Sequence, residues 1–446
     1  MEKKMNRSFV ILCVGLIFLL FFSLLYGRFG DLLSKKPALA AEDAAQAESA
    51  AEIGNTVNWE ERFPYKTVPT VSEETETAPP LPDGSAKDSI KTVLSLIKKN
   101  QSELANVGTT LAKTMYKERE LSGIGLAVRS RLSDCTQLED HVRLPNGYWI
   151  VLVKSLKSSQ SAEDDYRDYA LLQQRLNEKG IDFLYCFAPR KTCAIEENIP
   201  TLPVNHSNDN IDIEVETLNR FGVENLDLRK KLHEDGRNHY SLFFKTDHHW
   251  TMEAGLWAAG AIGSEITERF GIGMKAPSAF GTFTEVTFEG AMFGSDGSTA
   301  THFVEDAEDF TCLIPEFETN FRIEVPDEGV DRTGSFEELF VDSSVLEKCM
   351  KAGGGYAYGS LIYGNRPYEK ITNYANPDGP RIFMIKDSFG NAVAPYLALS
   401  CSELVLLDTR PGNGNFTGSI ETCIEEFCPD AVITVQNYPQ TIRLSP

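Results

Sequence analysis

The sequence lacks an excess of basic residues. Among its 446 residues, 43 Lys and Arg are set against 65 Asp and Glu, which gives a formal net charge of −22. A protein that binds nucleic acid needs clustered cations to neutralise phosphates. The composition therefore argues against a nucleic-acid partner.

Paired cysteine motifs are also missing. The nine cysteines form no C-x₂-C pair and no Cys/His cluster at metal-ligand spacing, so the sequence does not indicate a structural zinc site. Eight of the nine lie outside the apolar segment described next, an even number that permits disulfides without assigning them. Buried free thiols are the alternative.

Long hydrophobic runs are absent except for one at the start of the chain. Ser8 to Tyr26 carries no charge, and 19 helical residues span about 28 Å, enough for one bilayer crossing. Basic residues in the tail 1–7 place that tail in the cytoplasm, so we expect a single-pass membrane protein with its main domain outside. A cleaved signal is the alternative, but its apolar core would be shorter.

The next two segments differ in character. Residues 27–88 are predicted to form an acidic, flexible stalk, because Pro37 to Asp88 holds 11 acidic and 3 basic residues among alanines and prolines. Residues 89–446 form the predicted globular domain, which begins with a helical pattern at Ser89.

Within this domain, helix and strand patterns alternate. A strand is predicted at Gly147–Val153, a helix at Ala162–Lys179 and a buried strand at Ile181–Ala188. This alternation favours βαβ units and a parallel sheet. Residues 274–364 are rich in Gly, Phe and acidic residues and lack this alternation of helix and strand patterns. They are interpreted as an irregular insertion.

The first group of candidate functional residues is the string Asp247-His248-His249-Trp250. It follows an apolar stretch, residues 240–246, that predicts a strand, and it precedes a predicted helix, Gly255–Ile266. An Asp two residues before a His can turn back to accept a hydrogen bond from Nδ1, which leaves Nε2 free as a base. A metal-binding or structural histidine pair is the alternative.

The second group is the turn Lys386-Asp387-Ser388-Phe389-Gly390-Asn391. It lies between an apolar strand, Arg381–Ile385, and a helical pattern, Ala392–Leu399. A strand-to-helix turn presents the Ser388 Oγ and directs the first N–H groups of the helix toward whatever it attacks. The alternative is that Asp387 or Ser388 only caps the helix.

Together the two groups resemble the nucleophile and acid–base blocks of the SGNH hydrolase superfamily in a circularly permuted order. The string Asp247–Trp250 is similar to the signature of the DHHW family, which is related to alginate O-acetyltransferase-like proteins of bacterial cell surfaces. The likeness runs from about Asn55 to Pro446. It implies an α/β fold of the flavodoxin type, with a parallel sheet sandwiched between helices.

The permuted order can be read from the strands. Leu404–Leu407 and Ala431–Val435 follow Ser388, whereas strand 181–188 and the Asp247 block precede it. One cut and one rejoining restore the usual SGNH order.

The resemblance also implies an oxyanion hole. Its donors would be the Ser388 N–H, the N–H of Gly412 or Gly414 and the side-chain amide of Asn437. The sequence departs from the SGNH pattern at Lys386, where Gly is usual, and around Asn437, which lacks the Gly-x-Asn-Asp context. A polar residue that caps a strand end is the alternative for Asn437.

The implied mechanism is acyl transfer. Asp247 would orient His249, and His249 would deprotonate Ser388 for attack on an ester, without a metal or other cofactor. The acetyl group would pass to water or to a hydroxyl of a cell-envelope or secreted polysaccharide, and a membrane-bound acyltransferase is the implied donor. The alternative is a non-catalytic carbohydrate-binding or polysaccharide-assembly protein on the same scaffold.

Overall fold

The computed structural model describes residues 136–138, 141–144, 146–193, 205–300, 305–410, 416 and 418–444. The predicted tail 1–7, membrane anchor 8–26 and stalk 27–88 lie outside the described residues, as does the start of the predicted domain. Within the described ranges, no helix combines the length and apolar character that a bilayer crossing needs.

The strands are named here in chain order. They are β1 (Thr136–Leu138), β2 (His141–Arg143), β3 (Trp149–Val151), β4 (Asp182–Phe187), β5 (Asn225–Asp227), β6 (Phe283–Met292), β7 (Glu308–Pro315), β8 (Phe321–Val325), β9 (Val330–Gly334), β10 (Tyr368–Asn373), β11 (Arg381–Lys386), β12 (Glu403–Leu407) and β13 (Ala431–Gln436).

The α-helices of the described residues are named in the same way. They are α1 (Ser159–Asn177), α2 (Ser207–Arg220), α3 (Leu228–Glu234), α4 (Met252–Phe270), α5 (Ser295–Ala300), α6 (Phe336–Phe340), α7 (Ser343–Ala352), α8 (Gly390–Ser400) and α9 (Ile420–Phe427).

The central sheet is mixed, which corrects the prediction of a parallel sheet. Its eight strands run in the order β5-β4-β13-β11-β12-β10-β8-β9. Neighbours from β5 to β12 are parallel, whereas the pairs β12-β10, β10-β8 and β8-β9 are antiparallel. The sequence pattern identified the buried parallel strands, but it did not show that residues from the predicted insertion extend the sheet.

The parallel part of the sheet has a doubly wound order. In the permuted order, β11, which leads to Ser388, is strand 1, and β12, β13, β4 and β5 are strands 2 to 5. Across the sheet these five strands then take the order 2-1-3-4-5. This is the flavodoxin-like order, in which ligands bind beyond the carboxyl ends of the strands. It agrees with the permuted reading of the sequence.

Helices cover both faces of this sheet, as the resemblance implies. On β11, Phe383 and Ile385 pack toward α1 and α9, whereas Ile382 and Met384 pack toward α4 and α8. A strand that is buried on both faces has no polar side to show, which explains its continuous apolar sequence.

Two predicted strands are placed differently by the structure. The pattern at 147–153 does form a strand, β3, but β3 pairs antiparallel with β2 in a separate small sheet. The apolar stretch 240–246 begins with a 3-10 helix, Tyr240–Leu242, and continues as a loop joined by one bridge, Phe243 with Trp250. Short apolar runs are buried in either case, so their sequence does not distinguish a strand from a packed loop.

The predicted irregular insertion, 274–364, contains regular structure. It supplies the hairpin β6-β7, the sheet strands β8 and β9 and the helices α5, α6 and α7. The cysteines pair nowhere in the described ranges: the seven found there, which include Cys186, Cys193, Cys423 and Cys428, are free thiols.

The close contact of α4 with α8 gives a prediction on stability. A Cβ at Gly255 would lie 2.1 Å from the carbonyl oxygen of Ala392, whereas a Cβ at Gly260 of the same helix meets nothing within 4 Å. We therefore expect Gly255→Ala to lower the free energy of unfolding by about 1–3 kcal/mol through overpacking. Gly260→Ala should raise it by about 0.5–1 kcal/mol, because alanine favours the helix.

Urea unfolding of the two variants beside the wild-type protein measures this difference. Equal stability of Gly255→Ala and Gly260→Ala would show that the two helices do not approach as closely as described.

Candidate active site

Asp247, His249 and Ser388 form a chain of hydrogen bonds. His249 Nδ1 lies 2.5 Å from Asp247 Oδ1, and His249 Nε2 lies 2.7 Å from Ser388 Oγ. All three residues are buried, with Asp247 entirely excluded from solvent. The structure thus brings together the three residues that the sequence proposed as nucleophile, base and orienting acid.

The Ser388 turn is held by the carboxylate of Asp387. One oxygen accepts a hydrogen bond from Phe389 N at 2.8 Å, and the other accepts from Asn437 N at 2.7 Å, which ties the turn to the end of β13. Gly390 permits the tight turn, because a Cβ there would lie 2.6 Å from Lys386 Cβ.

The helix-capping alternative for this turn does not describe it. Helix α8 has no side-chain cap, and Phe389 occupies its N-cap position. The Ser388 hydroxyl is bonded to His249 instead. The turn therefore orients this hydroxyl for a contact outside its own helix.

Asp247 is held from the region that the sequence analysis treated as an insertion. Its Oδ2 accepts hydrogen bonds from the backbone N of Ser295 at 2.9 Å and from its hydroxyl at 3.3 Å. Gly294 allows this approach, because a Cβ there would lie 2.3 Å from Asp247 Oδ2. Sequence reasoning missed both residues, since only tertiary contact brings them to Asp247.

A buried lysine fixes the loop that carries Asp247. Lys191 Nζ donates to the carbonyl oxygens of Phe244 and Asp247 at 3.1 and 2.6 Å and pairs with the carboxylate of Asp296 at 2.8 Å. Carbonyls inside a protein need donors. This single ammonium satisfies several of them where no strand or helix could.

The environment keeps His249 neutral and Asp247 ionised. Burial lowers the pKa of His249 to about 4, because a buried imidazolium is poorly solvated, and its bond to Asp247 opposes this only in part. Burial acts to raise the pKa of Asp247, but its hydrogen bond with His249 and the neighbouring histidines outweigh that effect and lower it. With Asp247 ionised, Nδ1 carries the ring proton and Nε2 accepts from Ser388.

Aromatic rings complete the surroundings of His249. The Tyr358 ring stacks on the imidazole at 4.1 Å between centroids, and its hydroxyl donates to the Ser388 carbonyl at 2.9 Å. The indole N–H of Trp250 donates to Phe389 O at 2.9 Å. Tyr358 belongs to the predicted insertion and had no motif that marked it.

His248 takes a different position from its neighbour. Its side chain is 49% exposed and lines the same cleft as Ser388, but its Nδ1 lies 3.1 Å from Ser295 Oγ, and within the described residues it makes no hydrogen bond to Ser388. Asp247, His248 and His249 each offer a ligand atom within 4.8 Å of the others, so they are a candidate metal group. Both ring nitrogens of His249 are already engaged, so a metal would have to displace Asp247 or Ser388 from it.

The predicted oxyanion donors differ in whether they are free to donate. Within the described residues, the Ser388 N–H makes no hydrogen bond, as a free donor should. The Asn437 amide instead donates to the backbone carbonyls of Ala188 and Pro189 at 3.2 and 3.3 Å. Gly412 and Gly414 lie outside the described residues.

A cleft of about 810 Å³ opens at Ser388, beyond the carboxyl ends of the parallel strands. Arg410, Phe416 and Tyr438 contribute to its lining. A hydrogen-bonded Ser–His–Asp chain whose serine lines such a cleft can attack an ester and hold the acyl group.

We predict that His249 activates Ser388 and that His248 does not. His249→Gln should slow the labelling of Ser388 by a fluorophosphonate by about 10²- to 10⁴-fold, because the general base is lost. His248→Gln is the matched control and should keep most of the labelling rate, which intact-protein mass spectrometry can follow.

In the wild-type protein, labelling should fall with acid only as the pH approaches the lowered pKa of His249, about 4, since the ring must be neutral to accept the proton. The opposite ranking of the two glutamine variants would require the site to be rebuilt around His248.

Two family models match parts of the chain. Residues 149–293 match the SGNH hydrolase-like domain of the acetyltransferase AlgX, and residues 228–406 match the DHHW protein family. No curated protein matches in sequence.

Solved structures of similar fold agree with these matches. Two structures of PatB1 from Bacillus cereus, one with a sulfonyl adduct, are 19% and 20% identical, cover 65% and 68% of this chain and 93% and 95% of theirs, and have a TM-score of 0.53. A DHHW family protein from Eubacterium siraeum DSM 15702 is 20% identical over 68% of this chain and 92% of its own, with a TM-score of 0.51. These likenesses show the fold.

The DHHW match spans both candidate blocks, from before Asp247 to beyond Ser388. The chain is therefore similar to the DHHW proteins and to SGNH-type acetyltransferase domains, which confirms the resemblance predicted from the string Asp247–Trp250.

Proposed function

We propose that this protein is a serine-dependent O-acetyltransferase or O-acetylesterase that acts on a cell-envelope or secreted polysaccharide. The observation that carries the proposal is the continuous hydrogen-bonded path from Asp247 through His249 to Ser388, which lines an open cleft. The match to an acetyltransferase domain supports acetyl as the acyl group.

The chemical steps follow from the positions of these side chains. Ser388 Oγ attacks the carbonyl carbon of the donor ester while His249 Nε2 takes the hydroxyl proton. The protonated His249, stabilised by Asp247, then gives its proton to the departing alcohol. In the second half, water or a sugar hydroxyl loses a proton to His249 and attacks the acetyl carbonyl carbon, and His249 returns that proton to Ser388 Oγ as the acetyl group leaves it.

An aromatic side chain at the cleft supports a sugar as the acceptor. Tyr438 lines the cleft and is 54% exposed, and its ring is backed by the guanidinium of Arg190 at 3.9 Å from the ring centroid. Arg190 is itself buried and bonded to the carbonyl of Asn437. The apolar face of a sugar ring packs well on such a firmly held aromatic side chain.

The proposed location outside the membrane rests on the sequence of residues 8–26. In that position the acetyl donor could be delivered by a membrane-bound acyltransferase, and the substrate would be a polysaccharide beyond the membrane.

A protease added to intact cells should then cut within residues 27–88 and release the folded domain. Protection of this segment, with an accessible surface protein cut in parallel, would contradict the proposed orientation.

The acyl-transfer prediction is tested with the full-length protein, an acetyl-ester donor and oligosaccharides, with the products followed by mass spectrometry. Acetyl should appear on a sugar or as free acetate with the wild-type protein. Ser388→Ala should abolish both products without a large change in the unfolding midpoint, because it removes one hydroxyl and little packing.

The variant Tyr438→Ala tests whether this side chain binds the sugar acceptor. It should reduce transfer to the oligosaccharide and spare hydrolysis of a small acetyl ester, whereas Tyr374→Ala, which removes a similarly exposed tyrosine, is the control. A folded wild-type protein that a fluorophosphonate does not label and that transfers no acetyl would favour the carbohydrate-binding alternative.

A further inference from the structure

The structure places beside Ser388 an oxyanion donor that the sequence did not indicate, Arg410. When the serine oxygen bonds to an ester carbonyl carbon, the carbonyl oxygen becomes negatively charged and requires donors at about 2.7–3.1 Å. The Ser388 N–H is free for this role in the described part of the chain. The Asn437 amide is not, because it donates to the carbonyls of Ala188 and Pro189.

Arg410 holds its guanidinium beside the nucleophile. Its Nη1 lies 3.5 Å from Ser388 Oγ, and the residue lines the same cleft. A carbonyl oxygen bound one atom away from Oγ therefore falls within reach of this nitrogen.

A buried carboxylate fixes the orientation of that guanidinium. Arg410 Nη2 donates to Asp408 Oδ2 at 2.6 Å, and Nε donates to Oδ1 at 3.0 Å. Asp408 is fully buried, and its Oδ2 lies 3.9 Å from the buried ammonium of Lys386. Two of the three guanidinium nitrogens are thus held by the carboxylate, and the third is directed toward Ser388.

This arrangement also explains the presence of Lys386. It occupies the position where the SGNH pattern has Gly, and its Nζ donates to Asn391 Oδ1 at 2.7 Å beneath the Ser388 turn. A lysine here contributes a second positive charge near Asp408. The departure from the pattern and the arginine next to the nucleophile therefore belong to one charged network.

We propose that Arg410 is a catalytic residue whose Nη1 donates to the oxyanion of the tetrahedral intermediate, together with the Ser388 N–H. The proposal rests on the proposed acyl-transfer function. As the Oγ–C bond forms, the π pair of the carbonyl moves to its oxygen and the hydroxyl proton moves to His249. Collapse of the intermediate expels the alcohol, which takes that proton, while Arg410 keeps all of its protons.

The test measures the rate at which a fluorophosphonate labels Ser388, because the phosphonyl oxygen needs the same donors and no acetyl donor or acceptor is required. Arg410→Gln should slow labelling by about 10²- to 10³-fold, the range expected when one oxyanion donor is removed. Arg410→Lys should also be slow, since one ammonium cannot hold Asp408 and reach Ser388 together. The lysine variant decides the question if the glutamine variant does not fold.

Arg322→Gln is the matched control. Arg322 also grips a carboxylate through two nitrogens, with both distances to Asp331 at 2.8 Å, but it lies on β8, outside the cleft. Its labelling rate should equal that of the wild-type protein.

Free guanidinium ion distinguishes the loss of a hydrogen-bond donor to the oxyanion from the loss of structural support for Asp408. Added to Arg410→Ala, it should restore part of the labelling rate, because it can occupy the vacated place and donate to the same oxygen. Failure of this rescue would assign the loss to a displaced Asp408 and overturn the proposal.

An Arg410→Gln variant that labels as fast as Arg322→Gln would also overturn it. Because labelling needs only a reactive Ser388, these results stand even if the protein transfers no acetyl group. Failure of the proposed function would be seen separately, in the mass-spectrometric assay.

Discussion

The buried charge of Asp247 is the constraint on which the site depends. A carboxylate removed from water must be met by hydrogen bonds, or it would be protonated or unfold its surroundings. Here the donors are His249, reached by a turn of two residues, and Ser295, brought from the distant α5. Lys191 binds the backbone of the same loop. The segments that form hydrogen bonds with Asp247 and its loop therefore also orient His249 toward Ser388.

Two helices set the distance between His249 and Ser388. The segment with Asp247 and His249 leads into α4, and the Ser388 turn leads into α8. These helices pack so closely that Gly255 contacts the backbone of Ala392, and the indole of Trp250 bonds to the carbonyl of Phe389 where the helices begin. Close packing is rigid and changes little with thermal motion. The hydrogen bond between His249 and Ser388 thus rests on a core contact rather than on flexible loops.

The two sides of the nucleophile have different chemistry. On the histidine side, the ring of Tyr358 and the buried surroundings keep His249 neutral and oriented. On the cleft side, Arg410 adds a fixed positive charge next to Ser388. The whole chain carries a net charge of −22, yet this local charge has the opposite sign. A proton acceptor on one side and a cationic donor on the other suit a reaction in which negative charge develops on the oxygen of an acyl group.

The sequence by itself determined the parts of this site that depend on neighbours along the chain. The two-residue step from Asp247 to His249, the strand-to-helix turn at Ser388 and the buried strand before it are local patterns, and the structure places them as those patterns imply. The strand predicted at 147–153 forms, but its sequence did not show that it pairs in a separate small sheet, and the strand predicted at 240–246 is a 3-10 turn and loop, because a short apolar run indicates burial and not the partner that buries it. Only the tertiary structure brought Ser295 and Tyr358 to the site, engaged the Asn437 amide with the carbonyls of Ala188 and Pro189 just after β4, and placed Arg410 beside Ser388. Such contacts join residues far apart in sequence, and the packing of the sheet and helices decides them, not the local order of residues.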